Sequence, residues 1–222
     1  MIKKIFLIRG LKTESYEGFK ARVWQEVHNL KTLAPIHNLS FVINSEKKPL
    51  FSIIPFSKKK IASVSVYLEE QIDLPSLNKM EGFVGSYLVT EALPVAYQKT
   101  WPLGSKTPGA CLLTLFRAKK DISYKTFIDR WHHSHTPLSL KYHPLWHYSR
   151  NVVENRFPDQ AEPWEGIVEE HTQTQSELLN PFKFFGNPQV ILQRMLMVYK
   201  DTKSFIDYGS METYLAEEYC VK

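Results

Sequence analysis

Two stretches of this sequence follow the same pattern, a little over a hundred residues apart. Each has an apolar run, then Ser-Tyr-x-x-Phe, then Trp-x-x-x-His, in which the histidines are His28 and His135. Both stretches also end alike, with Tyr-Leu-x-x-Glu at 87–91 and at 214–218. A repeat of this length predicts two copies of one small domain and not a solenoid of short repeats.

The sequence of each copy predicts the same order of strands and helices, βαββαβ. Four apolar runs per copy predict strands, near 4–8, 39–44, 61–69 and 87–95, and near 111–117, 147–153, 166–172 and 213–221. Helices are predicted after Ser15 and Ser123, over 73–83 and over 188–206. The helix after Ser123 is expected to end at His135, because Pro137 follows.

This order is that of a ferredoxin-like unit, in which both helices cover one face of an antiparallel sheet. The other sheet face needs cover, and two copies supply it by packing sheet against sheet. We therefore expect an α+β fold of two tandem ferredoxin-like units that form an α/β barrel. The units are expected at 1–100 and 110–222, joined by a linker at 101–109 that is rich in Pro, Gly and Ser.

Composition is that of an ordinary globular protein. The chain has 222 residues, 43% of them hydrophobic, and a net charge of +5. Lysines cluster at 47–48 and 58–60, but no nucleic-acid-binding motif accompanies them, so no nucleic-acid partner is expected. Cys111 and Cys220 lie in apolar runs, which predicts buried free thiols. No run suits a signal peptide or a membrane span, so we expect a cytoplasmic protein without a membrane partner.

The second copy resembles an EthD domain. The resemblance is carried by Leu-Leu-Thr-Leu-Phe-Arg at 112–117, Arg-Trp-His-His-Ser-His-Thr-Pro at 130–137, Tyr-x-x-Asn at 148–151 and Trp-Glu-Gly-Ile-Val-Glu at 164–169. It covers most of residues 110–222, and the first copy is a more diverged match.

Resemblance to this family implies a fold of the dimeric α/β-barrel superfamily with a ligand cavity. That superfamily includes cofactor-free oxygenases, isomerases, polyketide cyclases and haem-processing enzymes. Fungal EthD relatives act as dehydratases or decarboxylases on aromatic polyketides. A shared fold does not fix a reaction, so the resemblance implies the fold more strongly than any one chemistry.

The first long helix of the second copy carries aromatic residues and a histidine on one face. Apolar residues recur at helical spacing from Tyr124 onward, and Trp131 and His135 are one turn apart on this face. These two side chains are expected either to pack in the core or to line a ligand cavity. The same alternatives hold for His28 in the first copy.

The strand predicted at 166–172 carries a carboxylate and an imidazole two residues apart. Alternation places Glu169 and His171 on one face and Glu170 on the other. If the first two face the barrel interior, partly removed from water, they can move a proton near neutral pH. The matching stretch of the first copy, 63–67, lacks both groups, so we expect the second copy to hold the site. The alternative is a structural or solvent-facing Glu and His.

The other polar candidates are weaker. Tyr148 and Asn151 match family positions on a strand, where they are expected to hold a substrate oxygen. Histidines recur between 132 and 147, but neighbouring helical side chains point about 100° apart, so no metal site is predicted. Haem ligation by one of these imidazoles, as in the wider superfamily, stays an alternative. No nucleotide-binding motif occurs, and we expect no cofactor.

We therefore expect a cofactor-free enzyme acting on an apolar aromatic or polyketide-like carbonyl compound. His135 or His171 would be the base, with Glu169 as the acid or as the group that orients the base. Four further side chains are expected to contact the substrate: Trp131, Tyr148, Asn151 and His28. Dehydration, cyclisation, isomerisation and oxygenation all suit this set. The alternatives are a non-catalytic protein that binds a hydrophobic small molecule and a haem-binding protein, and a homodimer stays open.

Overall fold

The eight predicted strands are all present and close into one antiparallel barrel. A computed structural model describes residues 1–46, 49, 52–70 and 72–222. Lys47 and Lys48, two of the clustered lysines, lie outside the described residues. The strands are, in chain order, β1 (Ile2–Arg9), β2 (Ile36–Asn44), β3 (Ile61–Leu68), β4 (Phe83–Val95), β5 (Ala110–Phe116), β6 (His147–Phe157), β7 (Gly166–Thr172) and β8 (Glu212–Cys220).

Each half of the chain contributes one arc of four neighbouring strands. The order around the barrel is β1-β3-β2-β8-β5-β7-β6-β4, and the strand pairs are antiparallel. The two arcs join where β2 pairs with β8 and where β4 pairs with β6. The fold is therefore α+β, and its sheet has no open edge.

Helices follow the first and third strands of both halves. They are α1 (Tyr16–Leu30), α2 (Pro75–Asn78), α3 (Tyr124–Asp129), a π-helical turn (Arg130–His135), α4 (Thr136–Tyr142), α5 (Gln175–Leu179), α6 (Pro181–Phe184) and α7 (Ile191–Lys203). As the sequence predicts, Ser15 and Ser123 are N-caps of α1 and α3. The helix expected over 73–83 is only the short α2. The helix expected over 188–206 is shorter in the structure, where α7 covers Ile191–Lys203.

The helix that was expected to end at His135 continues to Tyr142, so that expectation is corrected. In the π-helical turn the backbone N–H of Thr136 donates to the carbonyl of Trp131, five residues back, which widens the helix. The hydroxyl of Thr136 donates to the same carbonyl at 2.9 Å. Pro137, which has no N–H, therefore lies in the first turn of α4, where a helix tolerates proline.

Apolar side chains pack on both faces of the barrel wall. Outside, α1 buries Phe19 and Val23 against the first arc. Trp131 of the π-helical turn and Phe205, just after α7, are buried against the second arc. Inside, alternate strand residues fill one end with hydrocarbon: Ile5, Leu7, Leu113, Leu115, Ile167 and Tyr214. The other end of the interior is polar. Among the described residues no helix is both long and apolar enough to cross a bilayer.

Candidate functional site

Strand β7 carries candidate residues on both faces of the barrel wall. Glu169 lines a cavity at the polar end of the interior, and His171 lies within reach of it on the same face. Glu170 lines a separate cleft between the outer face of the sheet and the helices. We call these two places the lumen site and the helix cleft.

The lumen site is a cavity of about 250 Å³. Its wall includes side chains from both halves of the chain: Lys3, Tyr67, Glu91, Tyr97, His147, Ser149, Glu169, Glu218 and Cys220. The segment predicted as a linker contributes too, because the hydroxyl of Thr107 donates to Glu218 at 2.8 Å. The residues between β4 and β5 therefore help to close the polar end of the barrel.

Residues of the first arc form a compensated ion pair in this cavity. The ammonium of Lys3 lies 2.6 Å from Oε1 of Glu91. The hydroxyls of Tyr67 and Ser149 also donate to this carboxylate, at 2.9 and 2.7 Å. Burial acts to raise the pKa of Glu91, but Lys3 and the hydrogen bonds outweigh it, so the pKa is lowered. This carboxylate is ionised at neutral pH with a cation beside it.

A second carboxylate, Glu218, lies beside a histidine instead of a lysine. Nδ1 of His171 is 3.9 Å from Oε2 of Glu218, which also accepts a hydrogen bond from the hydroxyl of Tyr97 at 2.7 Å. Burial acts to raise the pKa of Glu218, but His171 and the hydrogen bonds outweigh it and lower the pKa. Burial lowers the pKa of His171, which Glu218 opposes.

The third carboxylate of the lumen site, Glu169, differs from the other two because its pKa is raised. It is 3% exposed, and its Oε1 atom has no hydrogen-bond partner in the part of the chain that the structure describes. Burial raises its pKa to about 7, with Lys3 opposing the shift and Glu218 and Glu91 adding to it. A carboxyl group with this pKa can give or take a proton near neutral pH.

The helix cleft is smaller and mostly apolar. Its volume is about 150 Å³, and aromatic side chains form much of its wall: Phe116, Trp131, Tyr148, Phe184, Phe185 and Phe205. Its polar wall residues include His135, Ser139 and the partly buried Glu170. Burial raises the pKa of Glu170, which the nearby His135 opposes.

His135 is held at both ring nitrogens in the helix cleft. Nδ1 lies 2.8 Å from Oδ2 of Asp201 on α7, and Nε2 lies 3.1 Å from the hydroxyl of Ser139 on α4. Burial acts to raise the pKa of Asp201, but hydrogen bonds from His135 and Ser134 outweigh it and lower the pKa. An ionised Asp201 favours the proton on Nδ1, which leaves Nε2 as the basic nitrogen.

The residues singled out from the sequence divide between these two places. Trp131, His135 and Tyr148 line the helix cleft. Glu169 and His171 face the lumen, and so does the buried Asn151, whose Nδ2 donates to Ser149 at 3.2 Å. His135 and Glu169 therefore lie on opposite faces of the sheet and cannot touch one bound molecule in this structure. His28 is exposed on α1 beside Trp24 and lines neither site.

Three further candidate residues, Asp201, Lys3 and Glu218, were not predicted from the sequence. Glu218 had a signal, since it closes the repeated Tyr-Leu-x-x-Glu motif. Asp201 had none, because only the packing of α7 brings it to His135. Both cysteines are buried and free, as expected. A larger hollow, about 590 Å³, is an open groove near Lys4 and Arg156 that contains none of these residues.

No family model matches this chain, and no curated protein matches it significantly. One similar solved structure is a candidate monooxygenase of Fusobacterium nucleatum subsp. nucleatum, at 10% identity and a TM-score of 0.52, covering 100% of this chain and 92% of that one. Another is an anthrone oxidase-like protein, at 10% identity and a TM-score of 0.58, covering 100% and 91%. At this identity the likeness shows a shared fold alone.

Proposed function

We propose that this protein is an enzyme that moves a proton on a small apolar carbonyl or phenolic compound bound in the helix cleft. The observation that carries the proposal is the chain of contacts from Asp201 through His135 to Ser139 at the wall of an apolar cavity. A base oriented by a carboxylate, in a pocket that excludes water, is what such a reaction needs.

His135 is the proposed base. With its proton on Nδ1 toward Asp201, Nε2 takes a proton from the substrate, and the carboxylate stabilises the imidazolium that forms. The same proton then returns to another atom of the substrate, which gives an isomerisation, a cyclisation or a dehydration. Ser139 would position the substrate oxygen or carry the proton between it and Nε2. Burial raises the pKa of Tyr148, so this phenol keeps its proton and can donate to the substrate.

The volume of the helix cleft limits the size of the substrate. A cavity of about 150 Å³ is the size that holds a benzene-like molecule. We therefore propose a substrate with a single ring, and not a fused polycyclic compound. The ring would lie among the aromatic side chains, with its oxygen toward His135.

The finer description of the fold is also a proposal: two tandem ferredoxin-like, EthD-like units at 1–100 and 110–222. It is supported by the strand order, which is β4-β1-β3-β2 in one arc and β8-β5-β7-β6 in the other. Each arc thus places its fourth strand beside its first and its third beside its second. Names of the similar structures add oxygenation as a candidate reaction, in which the deprotonated substrate would react with O₂.

Hydrogen–deuterium exchange tests the proposed base directly. Single-ring ketones such as acetophenone would be incubated with the protein in D₂O, and the signal of the protons next to the carbonyl followed by NMR. The wild-type protein should speed the exchange, and His135→Gln should lower the enhancement by about 10²–10⁴-fold, the range of general base catalysis. His133→Gln, an exposed histidine in the same helical turn, is the matched control and should exchange as the wild type does.

Two outcomes would contradict the proposal. Exchange that is equally fast in His135→Gln would place the base elsewhere. Ketones that bind, seen as line broadening, but never exchange would favour the alternative of a non-catalytic binding protein. A homodimer, the other partner considered from the sequence, stays a proposal that light scattering of the purified protein tests.

A further inference from the structure

The two halves of the chain place different chemistry at matching positions of the barrel interior. β1 and β3 pair Lys3 with Tyr67, and β5 and β7 pair Cys111 with His171, two positions that the repeat brings into register. The matching residues are Lys3 and Cys111, Ser65 and Glu169, Tyr67 and His171, and Glu91 and Glu218. The lumen site can therefore be compared half against half.

In the second half of the barrel interior, the carboxylates outnumber the positive charges that could compensate them. In the first half Lys3 neutralises the single carboxylate, Glu91. In the second half Cys111 stands where the lysine would be, while Glu169 adds a second carboxylate near Glu218. Lys3 acts on Glu169 only at a distance, because its ammonium is paired with Glu91. Buried carboxylates without a cation in contact carry a large desolvation cost.

Three of these side chains converge on one point. Glu169, His171 and Glu218 each have a ligand-type atom within 4.8 Å of the others. Two ligands of one ion, each about 2.0–2.2 Å from it, lie at most about 4.4 Å apart. The observed separation therefore needs only small side-chain shifts to hold an ion.

Unpaired atoms on these side chains are the second, independent observation. Oε1 of Glu169 and Nε2 of His171 find no hydrogen-bond partner among residues 1–46, 49, 52–70 and 72–222. The two residues are 3% and 1% exposed. Native proteins seldom leave such buried polar atoms unpaired unless a water or an ion pairs them.

We propose that Glu169, His171 and Glu218 bind a divalent transition-metal ion in the lumen site. An imidazole with two carboxylates suits Zn²⁺, Mn²⁺, Fe²⁺ or Co²⁺ better than Mg²⁺ or Ca²⁺, which prefer oxygen ligands alone. The ion would have the place that the Lys3 ammonium has in the first half. This site is separate from the helix cleft, so the inference does not depend on the function proposed there.

Neighbouring groups are those that a metal site needs. Tyr97 and Thr107 donate to Glu218 and so orient its carboxylate, as outer partners of metal ligands do. Both Glu169 and Glu218 line the cavity of about 250 Å³, which gives an ion a way in. His147 lies on the same wall, its ring centroid 5.2 Å from that of His171, as the nearest further donor.

A titration with Co²⁺ tests the site. Protein first treated with a chelator would be titrated with Co²⁺ and followed by visible absorption, and Zn²⁺ affinity would be measured by competition. One ion per chain is expected. Glu169→Gln or His171→Asn should weaken binding by more than about a hundredfold, and Tyr97→Phe by about tenfold, since outer partners contribute about 10–100-fold. Glu170→Gln, on the same strand but the other face, should bind as the wild type does.

Because a substitution at a buried residue can prevent folding, the second measurement uses only the wild-type protein. X-ray absorption of the Zn²⁺-loaded wild-type protein should show one imidazole and oxygen ligands at about 2.0–2.2 Å. A spectrum with more than two imidazoles, which is more than His171 and the neighbouring His147 can supply, would place the ion on other histidines and overturn the proposal. So would the absence of stoichiometric binding, or equal affinity in the wild type, Glu169→Gln and His171→Asn when circular dichroism shows these variants folded.

Discussion

Both halves contain the Trp-x-x-x-His motif, but the surroundings of the motif differ between them. In the first half Trp24 is partly buried and His28 is exposed. In the second half Trp131 is 1% exposed and His135 is held by Asp201. The difference comes from the helices that cover the motif. Between its third and fourth strands the first half has, among its described residues, only α2, whereas the second half has α5, α6 and α7.

This comparison separates what the repeat supplies from what the second half adds. The repeat supplies the strands, the capped helix and the aromatic face. The added helices supply the walls of the helix cleft and, through Asp201, the orientation of the histidine. Inside the barrel the halves diverge again, with Lys3 in one and Cys111 with Glu169 in the other. Each contrast can be tested with a matched pair of variants.

The largest expected effect is on the tryptophans of the motif. Trp131→Ala should lower the free energy of unfolding by about 3–5 kcal/mol, because a fully buried indole is lost and a cavity remains. Trp24→Ala should cost clearly less, since solvent already reaches that side chain. Urea unfolding followed by circular dichroism measures both. Equal losses would show that the added helices do not change how the motif is packed.

The second-largest expected effect concerns the ion pair between Lys3 and Glu91 in the first arc. Lys3→Met leaves the buried Glu91 without its cation, which should cost about 3 kcal/mol, the lower end for a broken buried pair because some water reaches the carboxylate. The double variant Lys3→Met/Glu91→Gln should recover most of this loss. Cys111→Ser, at the matching position of the second half, changes no charge and should cost less than Lys3→Met. A double variant no more stable than Lys3→Met alone would show that charge compensation is not what Lys3 contributes.

The buried His143 gives the stability of the second half a dependence on pH. His143 stacks on Phe184, with ring centroids 4.1 Å apart, and burial lowers its pKa to about 3. In the unfolded chain its pKa is about 6.5. The contribution of neutral His143 to stability is therefore complete above about pH 6.5 and is lost as the pH falls toward 3.

The expected size follows from about 1.4 kcal/mol for each pH unit. Between pH 6.5 and 5 the wild type should lose about 2 kcal/mol more unfolding free energy than His143→Phe, which cannot be protonated. Ile36→Val, at a buried apolar residue that opens β2 in the first half, should cost the same at both pH values. A His143→Phe profile parallel to that of the wild type would mean that His143 is not kept neutral by burial.

Much of the fold could be predicted because strand patterning is local. The strand at 166–172 agrees with β7 in both bounds, and its alternation already separates Glu169 from Glu170. The same rule places Tyr148 and Asn151, three residues apart on β6, on opposite faces. Their separation was therefore contained in the sequence, although the resemblance to EthD domains suggested that they act together.

Strand patterning could not predict which residues meet in the lumen site and in the helix cleft. Asp201 meets His135 across 66 residues, and only the packing of α7 on the second half brings them together. The continuation of the helix past Pro137 depends on a π-helical turn, whose five-residue hydrogen bond has no simple sequence signature. Local patterns thus predict elements and faces, while the chemistry of a site depends on contacts between distant segments.

The smallest expected effect concerns a feature that both halves share, the serine N-cap of the first helix. The hydroxyl of Ser15 accepts the N–H of Gly18 at 3.0 Å, and that of Ser123 accepts the N–H of Thr126 at 3.1 Å. Ser15→Ala and Ser123→Ala should each cost about 1 kcal/mol, because one N–H at the first turn loses its partner. Ser→Asp at either position keeps an acceptor and should cost little. If the alanine variants differ by more than about 1 kcal/mol, the divergence of the halves extends to their local capping and is not confined to what the added helices contact.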